Sequence, residues 1–307
     1  NHFYIPEGKK RIVLYPRQTI PLREALGKDE NGLFKYSTIV WSAIKKSGKS
    51  ALAGAVCLWM AWQNEFASIK VVANDLKQAD SRVAQAIRYA VQLNPEWRDI
   101  VKVTGYNIKF PNGSRIEAIP IDPKGEAGGN DDLISITELW GWKEAKALQA
   151  WTELTLSPMK YGKSFRWVDT YAGTIGESPV LWNLYEKCVL KGECIDYDYE
   201  MYTDKKSRMF CLWNTKPTLP DQNHLYYAQE EATLAPEEFL RVHRNQWTAP
   251  TETFVPSQWW EACKADEVVR VTTKTTKDDV EIEKKRWQVK HDGNTYYFKE
   301  DEAIVVA

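Results

Sequence analysis

No run of apolar residues in this 307-residue chain approaches the ~18 that a membrane-spanning helix needs. The N-terminal "NHFYIPEGKK" has no signal-peptide core, and it lacks an initiator Met, as expected of a fragment or a processed chain. Charge of one sign is not in excess: 41 Lys and Arg face 42 Asp and Glu, a formal net charge of −1. Tight nucleic-acid binding by a single copy is therefore not advertised, although local patches or a ring of copies would supply it. The five cysteines, Cys57, Cys188, Cys194, Cys211 and Cys263, are odd in number and form no CxxC pair, which reads as reduced thiols in a cytosolic protein. The four histidines show no metal-ligand spacing. Internal repeats and long low-complexity tracts are also missing. What is present is 43% hydrophobic residues, enough for one large α/β core and a smaller appendage. The fourteen tryptophans read as core and interface filler.

Apolar strand runs alternate with helical ones. "YSTIVWSA" (36–43) reads as a buried strand, "KSALAGAVCLWMAWQNEF" (49–66) as a buried helix and "IKVVAN" (69–74) as the next strand. "LKQADSRVAQAIRYAVQLNP" (76–95) reads as one amphipathic helix, and "YNIKFPNGSRIEAIPI" (106–121) as a hairpin turning at Asn112-Gly113. A Gly-rich loop, "DPKGEAGGNDD", leads to the strand "LISI" (133–136). "SFRWVDT" (164–170) and "MFCLWN" (209–214) read as further strands, and "SPVLWNLYEKCVL" (178–190) as a helix. This pattern predicts a mostly parallel sheet covered by helices on both faces. From residue 217 the chain turns polar and helical, with a helix start at Ala235-Pro236-Glu237-Glu238. Residues 271–285 read as a charged, Thr-rich connector, and 286–298 as a hairpin around Asp292-Gly293.

One stretch carries chemistry. "SAIKKSGKS" (42–50) sits between the first strand and its helix, the context a phosphate-binding loop requires. Backbone N–H groups at the helix start cradle phosphate oxygens. In that reading Lys49 places a charge on the β- and γ-phosphates and the Ser50 hydroxyl ligates Mg2+. Ala43 stands where such loops open with glycine, and Lys45 and Lys46 lie inside the loop. The acidic partner is Glu138, at the end of "LISITEL" (133–139), where a carboxylate orients the attacking water. Thr137 occupies the place of the aspartate that usually precedes it and helps hold the metal.

These pieces together resemble the ATPase domain of bacteriophage large terminase subunits, the motors that package DNA into procapsids. "IKKSGKS" is similar to the family's deviant loop, Pro-Arg-Lys-Asn-Gly-Lys-Ser. "VVANDLKQADSRVAQAI", the Gly-containing loop into "LISITELW", "TYAGT" (170–174), "YPRQTIPLREAL" (15–26) and "RNQW" with "FVPSQWWEAC" (244–263) resemble other motifs of that family in the same order. The similarity touches most of residues 15–263.

The resemblance implies a P-loop NTPase fold: an α/β core over 1–216, a small helical lid over 217–263, and a connector and β-hairpin-like tail over 264–307. It implies ATP and Mg2+ as cofactors. Gln18 would read adenine; Lys46, Ser47, Gly48, Lys49 and Ser50 would wrap the phosphates; Lys45 falls where the family has a loop arginine that reaches the γ-phosphate. Glu138 would be the catalytic carboxylate, with Ser50 and Glu138 toward the metal. Thr170, Ala172, Gly173 and Thr174 would couple hydrolysis to movement. A neighbouring subunit would donate a cation, with Lys124 and Arg166 as candidates. Implied partners are double-stranded DNA, a portal protein, a small terminase subunit and further copies in a ring on the procapsid, in the host cytoplasm and without a membrane. Three departures stand out. Lys45 cannot grip two oxygens as an Arg does, Thr137 removes a carboxylate, and Tyr171 replaces a small polar residue. The family's nuclease domain would begin near the closing "EAIVVA", without the aspartate expected after it, so no nuclease activity is expected here. Two other readings fit the same residues: a helicase-like translocase, and a nucleotide-binding module that does not hydrolyse.

Overall fold

Strand-forming and helix-forming runs alternate from the start of the chain, and the computed structural model places them in two units, residues 1–250 and 251–307. It describes residues 2–121, 129–249, 267–277, 280–291 and 293–299. The first unit opens with a ribbon of β1 (Tyr4–Ile5) and β2 (Lys10–Arg11). Helix α1 (Pro16–Ala25) follows, with Pro16 in its first turn, where no N–H partner is lost. Next come β3 (Thr38–Ala43), buried throughout, and α2 (Lys49–Gln63), rich in Ala and Leu. β4 (Ser68–Ala73) leads into residues 76–95. The single helix expected there is two: α3 (Leu76–Ser81) and α4 (Val83–Leu93) meet at Arg82, whose φ of −115° and ψ of −91° leave the helical region.

β5 (Lys102–Thr104), β6 (Asn107–Lys109) and β7 (Arg115–Pro120) are antiparallel neighbours. The β6–β7 hairpin turns at Asn112-Gly113 as its sequence predicts, with Gly113 at φ +81°. Then follow β8 (Leu133–Thr137), α5 (Ala145–Glu153), β9 (Phe165–Thr170), α6 (Pro179–Tyr185), β10 (Glu193–Asp196), β11 (Met201–Asp204) and β12 (Met209–Asn214). Two helices, α7 (His224–Thr233) and α8 (Pro236–His243), close the unit.

Ten strands form one sheet in the order β10-β11-β12-β3-β9-β8-β4-β7-β6-β5. The six from β12 to β7 run parallel, and antiparallel strands finish both edges. Side chains of period two split the core. On one face Ile39, Trp41, Phe165 and Trp167 pack with Leu52, Val56 and Cys57 of α2. On the other, Val40, Ile134, Ile136 and Val168 pack with Trp142, Leu181 and Trp213. β3 and β4 follow one another in sequence, yet β9 and β8 lie between them. Such a switch opens a crevice at the carboxyl ends of the strands. α7 and α8 pack over the loop after β3, with Tyr227 and Phe239 against Ile44.

The second unit is an antiparallel meander of β13 (Glu267–Lys277), β14 (Val280–His291) and β15 (Asn294–Lys299). The 286–298 hairpin is present, closing at His291↔Asn294 with Gly293 at φ +74°. The charged connector expected over 271–285 is instead strand over 271–277 and 280–285, paired from Glu267↔Lys290 to Lys277↔Val280. Its Val and Thr residues are β-branched and favour a pleated surface whatever charges lie between them. The closing run 302–307, the stretch 251–263 and Cys263 lie outside the described residues. Cys57, Cys188, Cys194 and Cys211 are free thiols. No helix of the described residues is long and apolar enough to cross a membrane.

Candidate active site

The crevice is floored by the five residues between β3 and α2. Lys46 (φ +64°) and Gly48 (φ +81°) take left-handed conformations that turn the chain into the helix. Gly48 caps α2 with no side-chain acceptor, so the first N–H groups of the helix stay available to an anion. Ala43, in place of the usual first glycine, is the last residue of β3 and pairs with Asn214. It has no positive φ, so a methyl group is tolerated there.

Lys49 is 8% exposed. Its Nζ donates to the carbonyls of Ala43 at 2.8 Å and Ile44 at 3.0 Å, which leaves one ammonium proton pointing elsewhere. Burial pulls its pKa down to about 8, against the pull of the Glu138 and Asp169 carboxylates. Three segments pin the loop. The Gln18 amide donates to the Ser47 carbonyl at 3.1 Å, Gln222 donates to the Lys45 carbonyl at 3.0 Å, and the Lys45 N–H donates to the Val242 carbonyl at 2.7 Å. The side chains of Lys45 and Lys46 are exposed, and Ser50 is half-buried. The Ser47 hydroxyl is buried with no partner.

Glu138 directly follows β8 in a left-handed conformation, φ +55°, and is 4% exposed. Its N–H donates to the Asp169 carbonyl at 2.8 Å. One carboxylate oxygen accepts from the Arg82 guanidinium and the other from the Trp140 indole N–H. Thr137 donates its hydroxyl to Asp169 Oδ2 at 3.0 Å. Asp169 is fully buried, and burial together with the charge of Glu138 pushes its pKa up to about 7. The Trp140 ring stacks on Tyr171, centroids 5.3 Å apart. Arg241 of α8, held by Glu238, lies 4.4 Å from the Trp140 centroid.

The stretch after β9 is equally tied. Thr170 accepts from the Trp140 N–H at 3.2 Å. Asn245 Oδ1 accepts from the Ala172 N–H at 2.7 Å and from the Ser42 hydroxyl at 3.0 Å, joining the ends of β3 and β9. At Gly173 a Cβ would fall 2.3 Å from the Ser178 hydroxyl, so only glycine lets that side chain reach the Trp140 carbonyl. Thr174 bridges to Thr248.

The structure thus gathers Gln18, the 44–50 loop, Glu138 and the 170–173 stretch around one crevice. Arg166 lies elsewhere: it is the second residue of β9, at the opposite end from Asp169, with its guanidinium 4.7 Å from the Trp151 centroid. Lys124 lies outside the described residues. Sequence reasoning passed over Arg82, Trp140, Asp169, Gln222, Arg241 and Asn245. Arg82, Trp140 and Asn245 lie within stretches that carry the resemblance, "VVANDLKQADSRVAQAI", "LISITELW" and "RNQW", and Asp169 is an acid near the end of the strand run "SFRWVDT". Among the described residues no cluster of three or more His, Cys, Asp or Glu forms a ready-made metal cage.

No family model and no curated protein matches this sequence. Solved structures do. The large terminase of bacteriophage HK97 superposes with a TM-score of 0.60 at 15% identity, over 96% of this chain and 64% of that one. This chain has the fold of a phage large terminase. The large terminase of a thermophilic bacteriophage matches at a TM-score of 0.55 and 8% identity, covering 94% of this chain and 69% of that one. The same thermophilic-phage protein in complex with ATP-gamma-S matches at 0.53 and 8%, over 94% and 68%. At such identities the likeness speaks for the terminase fold, and the chain spans just under two thirds of the HK97 protein.

Proposed function

We propose that this chain is the ATP-hydrolysing motor domain of a viral large terminase, which drives double-stranded DNA into a procapsid. The observation that carries the reading is the meeting of Lys49 and Glu138. The Lys49 Nζ lies 5.2 Å from the Tyr171 ring centroid, Tyr171 stacks on Trp140, and the Trp140 indole donates to the Glu138 carboxylate, which brings the ammonium and the carboxylate to one crevice of the terminase fold.

The residues divide the work. The N–H groups at the start of α2 and the remaining Lys49 proton bind the phosphates. Gln18 holds the loop through Ser47 and reads the adenine edge. Lys45 reaches from the loop's exposed side to the γ-phosphate. Glu138 orients the attacking water once that water replaces one of its present donors. The residues fit Mg2+: the Ser50 hydroxyl and the Glu138 carboxylate are oxygen donors suited to a hard cation, and in the loop before α2 the Ser47 hydroxyl is buried without a partner. The cation, when bound, neutralises charge on the transferred phosphoryl group. Thr170, Ala172, Gly173 and Thr174 pass the change at the site to α8 through Asn245 and Thr248.

The working form in this reading is a ring of copies on a portal, with a small terminase subunit, in the host cytoplasm. Lys124 and Arg166 are the two candidates for a cation donated to a neighbour's site, and Arg166 lies over the Trp151 ring, 4.7 Å from its centroid. Steady-state ATP hydrolysis, measured with and without double-stranded DNA and portal-bearing procapsids, tests the proposal. Turnover that requires Lys49 and rises with these partners is expected. ATP binding without turnover under every condition would mark a non-hydrolysing nucleotide module instead, and turnover with DNA strand separation a helicase-like translocase.

A further inference from the structure

Thr137, at the place of the usual carboxylate, has an acidic neighbour on the next strand. Thr137 and Asp169 are direct partners in the parallel β8–β9 pair, and the Thr137 hydroxyl donates to Asp169 Oδ2 at 3.0 Å. β9 lies between β8 and the strand that feeds the phosphate loop, so an acid at its end stands nearer that loop than one on β8. Along β9 the side chains alternate. Phe165 and Trp167 face α2, so Asp169, two residues on, points to the same side, toward the helix that begins with Lys49 and Ser50. The field of Asp169 is felt at Lys49, as is that of Glu138.

Its surroundings do not satisfy it. Asp169 is 0% exposed, and only Oδ2 has a donor. Oδ1 is buried with no hydrogen-bond partner. A purely structural acid at this depth would have both oxygens bonded. No donor of α2 or the loop hydrogen-bonds that oxygen. One unpaired oxygen of a buried carboxylate on the α2 side of the sheet, held in place by a threonine hydroxyl, is a place for a cation.

We propose that Asp169 supplies the metal-side carboxylate of this site, moved one strand across from its usual position, and that Thr137 orients it. The proposal rests on the nucleotide reading above. In it Thr137 is a positioning residue: its hydroxyl holds Oδ2 and leaves Oδ1 for the Mg2+ that accompanies ATP, directly or through a bound water.

The test is metal-linked nucleotide affinity in the full chain, read with a fluorescent ATP analogue at saturating Mg2+ and in excess chelator, and with Mn2+ binding followed by electron paramagnetic resonance. In the unaltered chain Mg2+ should tighten the analogue by about tenfold or more, within the usual span of coupling between two ligands. Asp169→Asn keeps an acceptor for Thr137 and removes the charge. It should reduce the Mg2+ effect, the ratio of affinities with the cation and in chelator, to less than about twofold. Adding Thr137→Asp to Asp169→Asn returns a carboxylate to the usual strand, and should restore both the Mg2+ effect and the Mn2+ signal. If Asp169→Asn alone fails to fold, the double variant decides by itself: a folded double variant without the metal effect overturns the proposal. A single variant that keeps the full effect overturns it as well. An unaltered chain that binds no nucleotide under either condition would instead overturn the nucleotide reading, and this inference with it.

Discussion

Arg82 and Glu138 form an ion pair across 56 residues of sequence, between the break in the α3–α4 helical segment and the end of β8. Arg82 is 43% exposed at its side chain while Glu138 is 5% exposed, so most of the burial falls on the carboxylate. The helix break has a physical consequence here, since it brings the guanidinium to the crevice.

Removing Arg82 should therefore be felt as stability. Arg82→Ala leaves a buried carboxylate oxygen without its charged donor, a loss of about 1–3 kcal/mol. Arg82→Lys should recover part of it, because a point charge replaces the planar fork. Chemical denaturation of the three proteins checks the order. Equal stability of all three would show that water replaces the guanidinium freely.

Lys45 divides backbone from side chain. Its N–H and carbonyl are both held, by Val242 and Gln222, while the side chain is exposed. Lys45→Ala should thus keep the loop and ADP affinity, yet lower turnover strongly by removing a charge from the γ-phosphate. Lys45→Arg should keep or raise activity. Wild-type turnover in Lys45→Ala, or equal weakening of ADP and ATP, would take Lys45 out of the site.

What the sequence makes legible is local. The strand, the loop ending Gly48-Lys49-Ser50, the apolar helix and an acid closing "LISIT" are contiguous patterns, and each reappears as an element of the sheet. What escapes is made by tertiary pairing. Asp169 meets Thr137 from 32 residues away, and Arg241 reaches Trp140 from another helix. Nothing in composition marks either contact. The helix break at Arg82 carries no Gly or Pro to announce it. The charge of 271–285 suggests a solvated linker, although the Val, Ile and Thr residues among those charges favour strand pairing.

The α7–α8 pair carries its own pH dependence. His243 on α8 is fully buried, with Nε2 3.0 Å from Glu230 Oε2 and Nδ1 without a partner. Burial lowers its pKa below 6.5; Glu230 opposes that shift, and Lys45 and Arg244 add to it. The folded chain therefore binds the proton less readily than the unfolded one. Stability from this group is complete above pH 6.5 and is lost as pH falls below it. Thermal unfolding between about pH 7.5 and 5.5 should show a drop that His243→Asn lessens. An identical pH profile in the two proteins would mean that His243 does not titrate there.

The central claim, that Lys49 and Glu138 make a hydrolytic ATP site, is tested most directly by Glu138→Gln. This change keeps the side chain's size and an acceptor oxygen for one of its two donors, Arg82 or Trp140, and removes the charge that activates water. ATP binding and single-turnover hydrolysis, measured side by side with Lys49→Ala as the binding-defective control, decide it. The expected result is ATP bound as in the unaltered chain while hydrolysis falls by ~10²-fold or more. A fall of less than about fivefold with binding intact would contradict the account and assign the carboxylate elsewhere.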